Sequence, residues 1–586
     1  MHRLIVILGL LIPAFIKAQA PYGNEWIDYS QAHYKFQLAQ DGIYRIPYNT
    51  IAAAIPGINS IDPNNITIFT RGKKIPIYVS WSSNPSSADF IEFYGKKLGG
   101  EIDAKLYSKS ENQLNPNYSV FGDTATYYLS LRTAPNPRLV NTTNDLSSLP
   151  PKENWFYHTT LTSFNSSYSG GRRSYISTYE FVISPGYDNG EGYGNAVYLT
   201  ASSNAISTPF INTGAGVLSS IKTRIIAFNA GPHRLQFSLN SNLIKDTLFD
   251  GSFCRTFSLD VPTTQLISNN NFTITPLFNR YHGYMTGFIE IVYPRDFNFG
   301  GQNNFYFQVL GNSSKQYIEI NNFSFSSGNP ILYDLTSGLR ISGNIPTSGN
   351  PLKLALPAAN GQRELYLFNE NQFLTINSIS ARTFINYTSS FNQGNYIMIY
   401  HPKLTNDGLG NNRIAEYKAY RESAAGGSKQ VVNVNINDLY DQFSFGQNKN
   451  PLAIKKFLQF AYSSWSIKPQ HVFLIGKGRP NEETRNPAVT NAILIPTMGV
   501  SPALSDIALS STDTANLSLL PIGRLAVETG DDINNYLNKV KAYEIDKNKI
   551  GDPNQTINIQ EPKKWAIHLG GGSDQSQQNA YAGSLK

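Results

Sequence analysis

The pattern of apolar and polar positions divides the chain into two parts near residue 376. From Tyr22 to about Phe373, short runs alternate between apolar and polar residues and end at turns rich in Gly, Asn and Ser. In YKFQLAQDGIYRIPY, two such runs flank Asp41-Gly42, a dipeptide favoured in tight hairpins. Because a period of two residues places alternate side chains on opposite faces of a strand, this front part is predicted to be all-β.

The all-β part is predicted to form two domains. Residues 21–150 are the N-terminal β domain, and the polar, proline-rich stretch from Leu139 to Pro150 is interpreted as a linker at its end. Residues 151–375 form the second domain, a β-sandwich or jelly roll, because strand-like runs follow one another without a sustained helical period. Such a domain either binds a partner or acts as a spacer.

Residues 376–586 have the alternation of an α/β domain. The strand-like segments NYIMIYHP, QVVNVNI, HVFLIG and KKWAIHLGGG alternate with the helix-like segments IAEYKAYRESAAGG, NPLAIKKFLQFAYSSW and DDINNYLNKVKAYE. This order predicts a parallel sheet covered by helices. Sites in such sheets form in loops beyond the carboxyl ends of the strands, here GKGRPNEE and GGGSDQ.

The first residues, MHRLIVILGLLIPAFIKAQA, have the pattern of a secretory signal peptide. Arg3 supplies the positive start, the apolar run from Leu4 to Phe15 is too short to span a membrane comfortably, and Ala18 and Ala20 fit a cleavage site. We therefore expect a signal peptide over residues 1–20. The mature chain, without a transmembrane helix, is expected at the cell surface, associated with an outer membrane, or outside the cell.

Composition narrows the class of protein. Hydrophobic residues are 40% of the chain and charged residues 15%, so the chain can build cores. The net charge is +7, but the basic residues are scattered, which favours an ordinary solvated surface over a patch that binds nucleic acid or lipid. Cys254 is the only cysteine, so no internal disulfide is possible. It lies in a strand-like run with no histidine nearby and is interpreted as a packed, inert thiol.

The common catalytic motifs are missing. Gly476-Lys477-Gly478 lacks the spacing of a phosphate-binding loop and is interpreted as a tight turn after a strand. The sequence has no HExxH motif, no GxSxG motif and no two histidines at a metal-ligand spacing. The residues alone therefore leave the chemistry open.

Three residues are candidates for the edge of a site. Lys477 follows one predicted strand, and Asp506 and Asp513 lie in the loop SPALSDIALSSTDTANLSLLPIGR. The two carboxylates either bind calcium, pair with a basic side chain such as Arg524, or cap turns. Asp513 is the candidate for calcium, although no cofactor is required.

Several segments resemble the gingipain-like (C25) cysteine peptidases of Bacteroidota: HVFLIGKGRP, LIPTMGVSPALSDIALSSTD, LLPIGRLAVETGDDINNYLNKVKAYE and WAIHLGGGSD. Front segments such as YGNEWIDYSQAHYKFQLAQDGIYRI resemble the members of this family that act as sortases of type IX secretion. The resemblance covers nearly the whole mature chain and is weakest between about 150 and 370. PIGRLAVETGDDINNYLNKVKAYE is its most specific part.

The resemblance implies a caspase-like α/β peptidase domain in which a cysteine attacks the peptide carbonyl, a histidine acts as base and acid, and backbone N–H groups hold the oxyanion. It also implies removal of the C-terminal secretion signals of cargo proteins at the cell surface. The partners would be such cargo and other outer-membrane components of type IX secretion, with no nucleic acid. The alternative is a non-catalytic binding or scaffold protein of the same machinery.

No catalytic residue is assigned in this chain. By the resemblance, a first α/β subdomain runs from about Ile379 to Asp546, and a second begins at KKWAIHLGGG. The catalytic histidine and cysteine are then expected beyond Lys586, since His568 matches a strand interior and no cysteine follows Cys254. We expect the chain to be the truncated N-terminal part of a longer peptidase and to be inactive alone.

Overall fold

The structure is a computed structural model that describes residues 22–172, 174–175, 181–182, 184–229, 231–277, 283–325, 328–512 and 517–548. The predicted signal peptide, Asp513, the predicted strand KKWAIHLGGG and His568 lie outside these residues. Within them, none of the helices has both the length and the apolar character needed to cross a membrane.

Strands dominate the first two thirds of the chain. Those of the N-terminal segment are β1 (His33–Leu38), β2 (Gly42–Pro47), β3 (Ile66–Thr70), β4 (Lys73–Ile75), β5 (Tyr78–Val79), β6 (Phe90–Gly95) and β7 (Ala125–Leu131). Those of the first half of the middle segment are β8 (Val140–Thr142), β9 (Trp155–Ser163), β10 (Ser167–Gly170), β11 (Ser174–Tyr175), β12 (Phe181–Val182), β13 (Glu191–Gly194), β14 (Ser202–Ser207), β15 (Leu218–Ala227), β16 (Pro232–Leu239), β17 (Asn242–Asp250), β18 (Cys254–Pro262), β19 (Asn269–Pro276) and β20 (Tyr284–Asp296). Those of the second half are β21 (Asn298–Gln302), β22 (Asn304–Leu310), β23 (Gln316–Phe323), β24 (Pro330–Asp334), β25 (Leu339–Ser342), β26 (Leu352–Leu356), β27 (Gln362–Asn369), β28 (Leu374–Thr375) and β29 (Ser380–Arg382).

The N-terminal module consists of two sheets that include late strands. Their strand orders are β29-β1-β7-β3-β4 and β28-β2-β6-β5. One helix, α1 (Tyr48–Ala54), follows β2 directly and was not predicted by the strand-like pattern of this region. Because β28 and β29 pair with β2 and β1, the chain returns to its N-terminal module before it enters the α/β region.

Two large hydrophobic cores lie in the described part of the middle segment. The sheets β14-β19-β16-β17 and β18-β15-β20-β9 enclose the first core, which contains Phe237, Phe272 and Ile289. The sheets β21-β23-β26 and β22-β27-β24-β25-β8 enclose the second, around Phe299 and Leu354. The described residues between 155 and 373 contain no α-helix, as the sequence pattern predicts. The stretch interpreted as a linker contributes β8, which pairs with β25 and is therefore part of a sheet.

The α/β region contains a parallel sheet of the order β31-β30-β32-β33. Its elements are β30 (Tyr396–Tyr400), α2 (Arg413–Glu422), β31 (Val431–Asn435), α3 (Ile436–Phe443), α4 (Leu452–Ser464), β32 (His471–Ile475), β33 (Ile522–Leu525) and α5 (Gly530–Asn548). Alternate residues of β30 enter different cores: Ile397 and Ile399 pack on the side of α3 and α4, and Met398 packs on the side of α2 and α5. The predicted alternation of strands and helices is therefore present from β30 to α5.

Two helix boundaries differ from the sequence pattern. Helix α2 ends at Glu422, before the Gly426-Gly427 pair that closes the helix-like segment, because Ser423 leaves the helical conformation with a ψ of 158°. Helix α4 begins at Leu452, two residues after the start of the helix-like segment at Asn450, whose side chain accepts from the Leu452 N–H at 2.9 Å. Helix α3 was missed, because its eight residues directly continue β31.

One hydrophobic core is common to the N-terminal module and the α/β sheet. Phe36, Phe93 and Tyr127 belong to it together with Ile399 and Phe457. Polar contacts cross the same boundary. Asp441 on α3 accepts a hydrogen bond from Lys35 Nζ at 2.6 Å and another from the Tyr128 hydroxyl at 2.9 Å. The two regions are therefore packed as one body at this face.

Candidate functional site

The carboxyl ends of β30, β32 and β33 meet at one edge of the parallel sheet. Their pairing is in register, with Tyr400 opposite Ile475 and Ile475 opposite Leu525. The residues that follow them are His401, Gly476 and Ala526, so the loops after these strands share one face. The longest of these loops, residues 476–510, is called the edge loop below; it contains Lys477 and Asp506.

Arg524 on β33 fixes the shape of the edge loop. Its Nε and Nη2 donate to the Asp506 carboxylate, both at 2.7 Å. The same guanidinium donates to the carbonyl oxygens of Gly476 at 2.7 Å, Ile495 at 2.9 Å and Pro496 at 3.0 Å. Asp506 therefore pairs with a basic side chain, which was one of the open alternatives, and its oxygens are occupied by Arg524.

Gly476 is needed where the edge loop leaves β32. Its φ is +141°, and a Cβ at this position would lie 2.9 Å from Ile495 Cγ1 and 3.0 Å from Leu494 Cβ. Residues 494 and 495 pass this closely because their N–H groups donate to the Lys477 carbonyl. This geometry agrees with the interpretation of Gly476-Lys477-Gly478 as a tight turn.

Lys477 lies beside Glu528 among several cations. The Lys477 ammonium donates to Glu528 and lowers the pKa of that carboxyl, and Lys403 and Arg479 lower it further. His401, at the end of β30, is partly buried, and burial lowers the pKa of its imidazole. The site-edge candidate Lys477 thus belongs to an ion pair on the exposed side of the sheet edge.

The opposite side of the edge loop contacts the N-terminal module and the middle segment, which are together called the β modules below. Asn481 Nδ2 donates at 2.9 Å to the carboxylate of Glu191, which is completely buried on β13. Burial raises the pKa of Glu191 to about 8. Arg485 donates to the Ser119 carbonyl at 2.7 Å and to Asp123 at 2.6 Å. Sequence reasoning missed these contacts, since partners 290 and more residues apart leave no local signal.

Cys254 is not placed as a nucleophile. It begins β18 in the first β-sandwich and packs with Leu114, Ile226 and Met285. Burial raises the pKa of its thiol to about 12, so the thiolate that attacks carbonyls is scarce at neutral pH. Its burial fits the interpretation as a packed thiol.

The described residues contain no group of three or more His, Cys, Asp or Glu side chains placed to hold a metal ion. Asp513, the calcium candidate, lies outside them, so calcium at that residue stays a prediction. The structure places the other two candidates, Lys477 and Asp506, in the edge loop. Lys477 pairs with Glu528, which follows β33, and Asp506 pairs with Arg524 on β33.

Comparison with known proteins bears on this region. Residues 389–584 match the sequence model of peptidase family C25. The predicted relationship to the C25 peptidases is confirmed. These residues, called the C25 region below, include the parallel sheet, the edge loop and α5.

The fold of nearly the whole chain is similar to that of a PorU. A crystal structure of dimeric latent PorU from Porphyromonas gingivalis matches with a TM-score of 0.58 at 13% identity, covering 91% of this chain and 52% of that one. The chain therefore spans about half the length of that PorU. The similarity in fold therefore extends beyond the C25 region to the β modules in front of it.

Two further matches cover smaller parts of the chain. A carbohydrate-binding module of family 36 in complex with calcium and xylotriose has a TM-score of 0.15 at 14% identity, covering 22% of this chain and 98% of that chain. A family 35 module from Clostridium thermocellum has a TM-score of 0.13 at 12% identity, covering 23% and 90%. These scores are too low to support an inference about the β-sandwiches. A search of curated protein sequences gives no match.

Proposed function

We propose that the protein acts as a cysteine endopeptidase and sortase of type IX secretion, which removes the C-terminal secretion signals of cargo proteins. The observation that carries the proposal is the C25 match over residues 389–584, joined to a PorU-like fold over 91% of the chain. The parallel sheet with helices on both faces supports a caspase-like arrangement as part of the same proposal.

The proposed chemistry is acyl transfer. A cysteine thiolate adds to the carbonyl at the cleavage site, the signal peptide leaves as an amine that takes a proton from histidine, and a thioester remains. An acceptor amine or water then attacks the thioester and regenerates the thiol. Backbone N–H groups at the sheet edge would stabilise the oxyanion.

The residues of this chain support the loop beside the proposed site and do not supply its nucleophile. Arg524 and Asp506 hold the edge loop, and Lys477 and Glu528 lie on its exposed side. The one cysteine in the sequence is Cys254, whose thiol is buried in another module. We therefore propose that Cys254 is not the nucleophile and that these 586 residues alone do not turn over substrate.

Export and surface location belong to the same proposal. They are supported by the signal-peptide pattern of residues 1–20. The proposed partners are cargo proteins with C-terminal secretion signals and other outer-membrane components of the secretion machinery.

The test is cleavage of a cargo protein by the product of the complete reading frame. We expect release of the C-terminal signal, blocked by iodoacetamide, and no release by the 586-residue chain. A matched control is Cys254→Ala in the complete protein, which should keep full activity because that thiol is buried.

Two outcomes would overturn the proposal. Thiol-sensitive cleavage by the 586-residue chain would show that the nucleophile is Cys254. Cargo binding without cleavage by the complete protein would favour the alternative, a scaffold protein of the same machinery.

A further inference from the structure

Glu191 lies where three parts of the molecule meet. Its carboxylate accepts from the Tyr168 hydroxyl at 2.8 Å, from the Asp188 N–H at 3.1 Å and from Asn481 Nδ2 at 2.9 Å. Its backbone carbonyl accepts from the Tyr107 hydroxyl at 2.8 Å and from the Leu114 N–H at 3.2 Å. One residue of β13 therefore joins the N-terminal module, its own small sheet and the edge loop.

The contact with Asn481 reaches the middle of the edge loop. The Asn481 N–H donates to the Gly499 carbonyl at 3.0 Å, so Asn481 links two distant parts of the loop. The β modules also lie in close contact with the part of the edge loop around Gly499 and Val500. A Cβ on Gly499 would lie 3.1 Å from the Pro185 carbonyl oxygen, and a Cβ on Gly170 would lie 3.2 Å from Val500 Cγ2.

A second contact supports the loop near its first turn. Arg485 donates to the Ser119 carbonyl and to Asp123, and its guanidinium lies 4.0 Å from the centre of the Tyr118 ring. Apart from one bridge between Met498 and Ser505, the regular structure of the edge loop consists of short 3-10 turns, so its shape depends on such contacts with its surroundings.

We propose that Glu191 is a positioning residue for the site of the C25 region, although it lies about 200 residues before that region in the sequence. It holds the edge loop in place through Asn481, so the β modules determine the geometry at the carboxyl ends of the strands. The consequence for turnover rests on the proposed function, since small displacements at a reacting centre reduce the rate strongly.

The first test measures amide hydrogen exchange of the 586-residue chain and needs no activity. In Glu191→Ala and in Asn481→Ala, we expect residues 478–505 to exchange about tenfold faster, with β30 and β32 unchanged. Asn481→Ala changes no residue of the β modules, so faster exchange in both variants points to the contact between Glu191 and Asn481 and not to a folding defect caused by changing the small sheet. The matched control is Glu290→Ala on β20, which lies opposite Lys222 and Leu161 and away from Asn481.

The proposal is overturned if the edge loop exchanges at the parent rate in both variants. It is also overturned if Asn481→Ala accelerates exchange over the whole chain, because the contact would then hold the fold and not the loop.

The second test measures turnover of cargo by the complete protein. We expect kcat to fall about tenfold in Glu191→Ala with KM nearly unchanged. Glu191→Gln should restore most of kcat, because it keeps the oxygen that accepts from Tyr168 and Asn481. An equal kcat in the alanine variant contradicts positioning. If the unmodified protein has no activity, the proposed function fails, and the exchange test still decides whether Glu191 holds the loop.

Discussion

Arg524 and Asp506 form a two-bond ion pair that ties the edge loop to β33, with Nε and Nη2 each 2.7 Å from a carboxylate oxygen. The pair is mostly buried, since 12% of the Arg524 side chain and 22% of the Asp506 side chain are exposed to solvent. Three carbonyl oxygens accept from the same guanidinium, so one side chain organises both ends of the loop. Arg524, part of the segment that most specifically resembles the C25 peptidases, thus has a structural role next to the proposed site.

Replacing Arg524 should destabilise the C25 region. We expect Arg524→Ala to lower the free energy of unfolding by about 2–3 kcal/mol, because it removes charge-assisted hydrogen bonds and leaves Asp506 without its partner. Urea denaturation followed by circular dichroism measures this. The matched control is Arg234→Ala, which breaks an exposed pair with Asp246 of similar geometry and should leave stability nearly unchanged. Equal losses in the two variants would refute the structural role of Arg524.

Cys254 should be unreactive in the folded chain. The pKa of its thiol is raised to about 12 by burial, and thiolate is the reactive form. We expect no adduct with iodoacetamide at mildly alkaline pH under native conditions and complete alkylation in guanidinium chloride, both read by intact mass. Rapid labelling of the native chain would contradict the buried position.

Asp103 should make stability depend on pH. It is completely buried between the N-terminal module and α3–α4, where it accepts from the Val120 N–H at 2.7 Å and from Gln447 Nε2 at 3.1 Å. Burial raises the pKa of Asp103 to about 7, so the native state holds its proton more tightly than the unfolded chain does. The contribution to stability is therefore complete below about pH 4 and is lost as the pH rises through about 7.

The variant Asp103→Asn should flatten this dependence, whatever its effect on stability at one pH. The measurement is the urea midpoint at mildly acidic and at neutral pH in the parent and the variant. Glu101→Gln is the control, since this neighbouring carboxylate is exposed and pairs with Arg71. An unchanged slope in Asp103→Asn would show that Asp103 is ionised throughout.

The ion pair of Arg363 and Asp334 should be essential to the second β-sandwich. Both side chains are fully buried, and Nε and Nη2 of Arg363 donate to one Asp334 oxygen at 2.9 and 2.5 Å. Arg363→Ala leaves a buried carboxylate without its partner, and we expect a loss of about 3–5 kcal/mol in urea denaturation. Lys315→Ala, which breaks an exposed pair with Asp145, should cost little. A small loss in Arg363→Ala would mean that water reaches the Asp334 site.

Helices and strands could be predicted where the apolar positions of the local sequence repeat with one clear period. The alternating run around Asp41-Gly42 forms β1 and β2, and the helix-like run after Gly530 forms α5. Helices α1 and α3 were missed because each is short and follows a strand without a break. Their helical form depends on packing against the shared core, through Ile51 and Leu439, more than on a local signal.

The candidate site was predictable only in part. The position of Lys477 follows from the rule that loops after parallel strands meet at one edge, and the pairing of Arg524 with a nearby aspartate was one of the stated alternatives. The support from Glu191 was not predictable, because a residue of a small two-stranded sheet gives no indication in the sequence of which distant loop it will contact.

The hydrophobic core that the N-terminal module shares with α3 and α4 affects the order in which the molecule is made. The N-terminal strands leave the ribosome first, but the partners of Phe36 and Tyr127 on the α/β side are residues such as Phe457, more than 300 positions later. Until those residues are synthesised, the module presents an apolar face to its surroundings, where it is prone to aggregate. We expect the reverse defect in a protein that starts at residue 389, because its α3 and α4 would lack the apolar partners that the N-terminal module supplies.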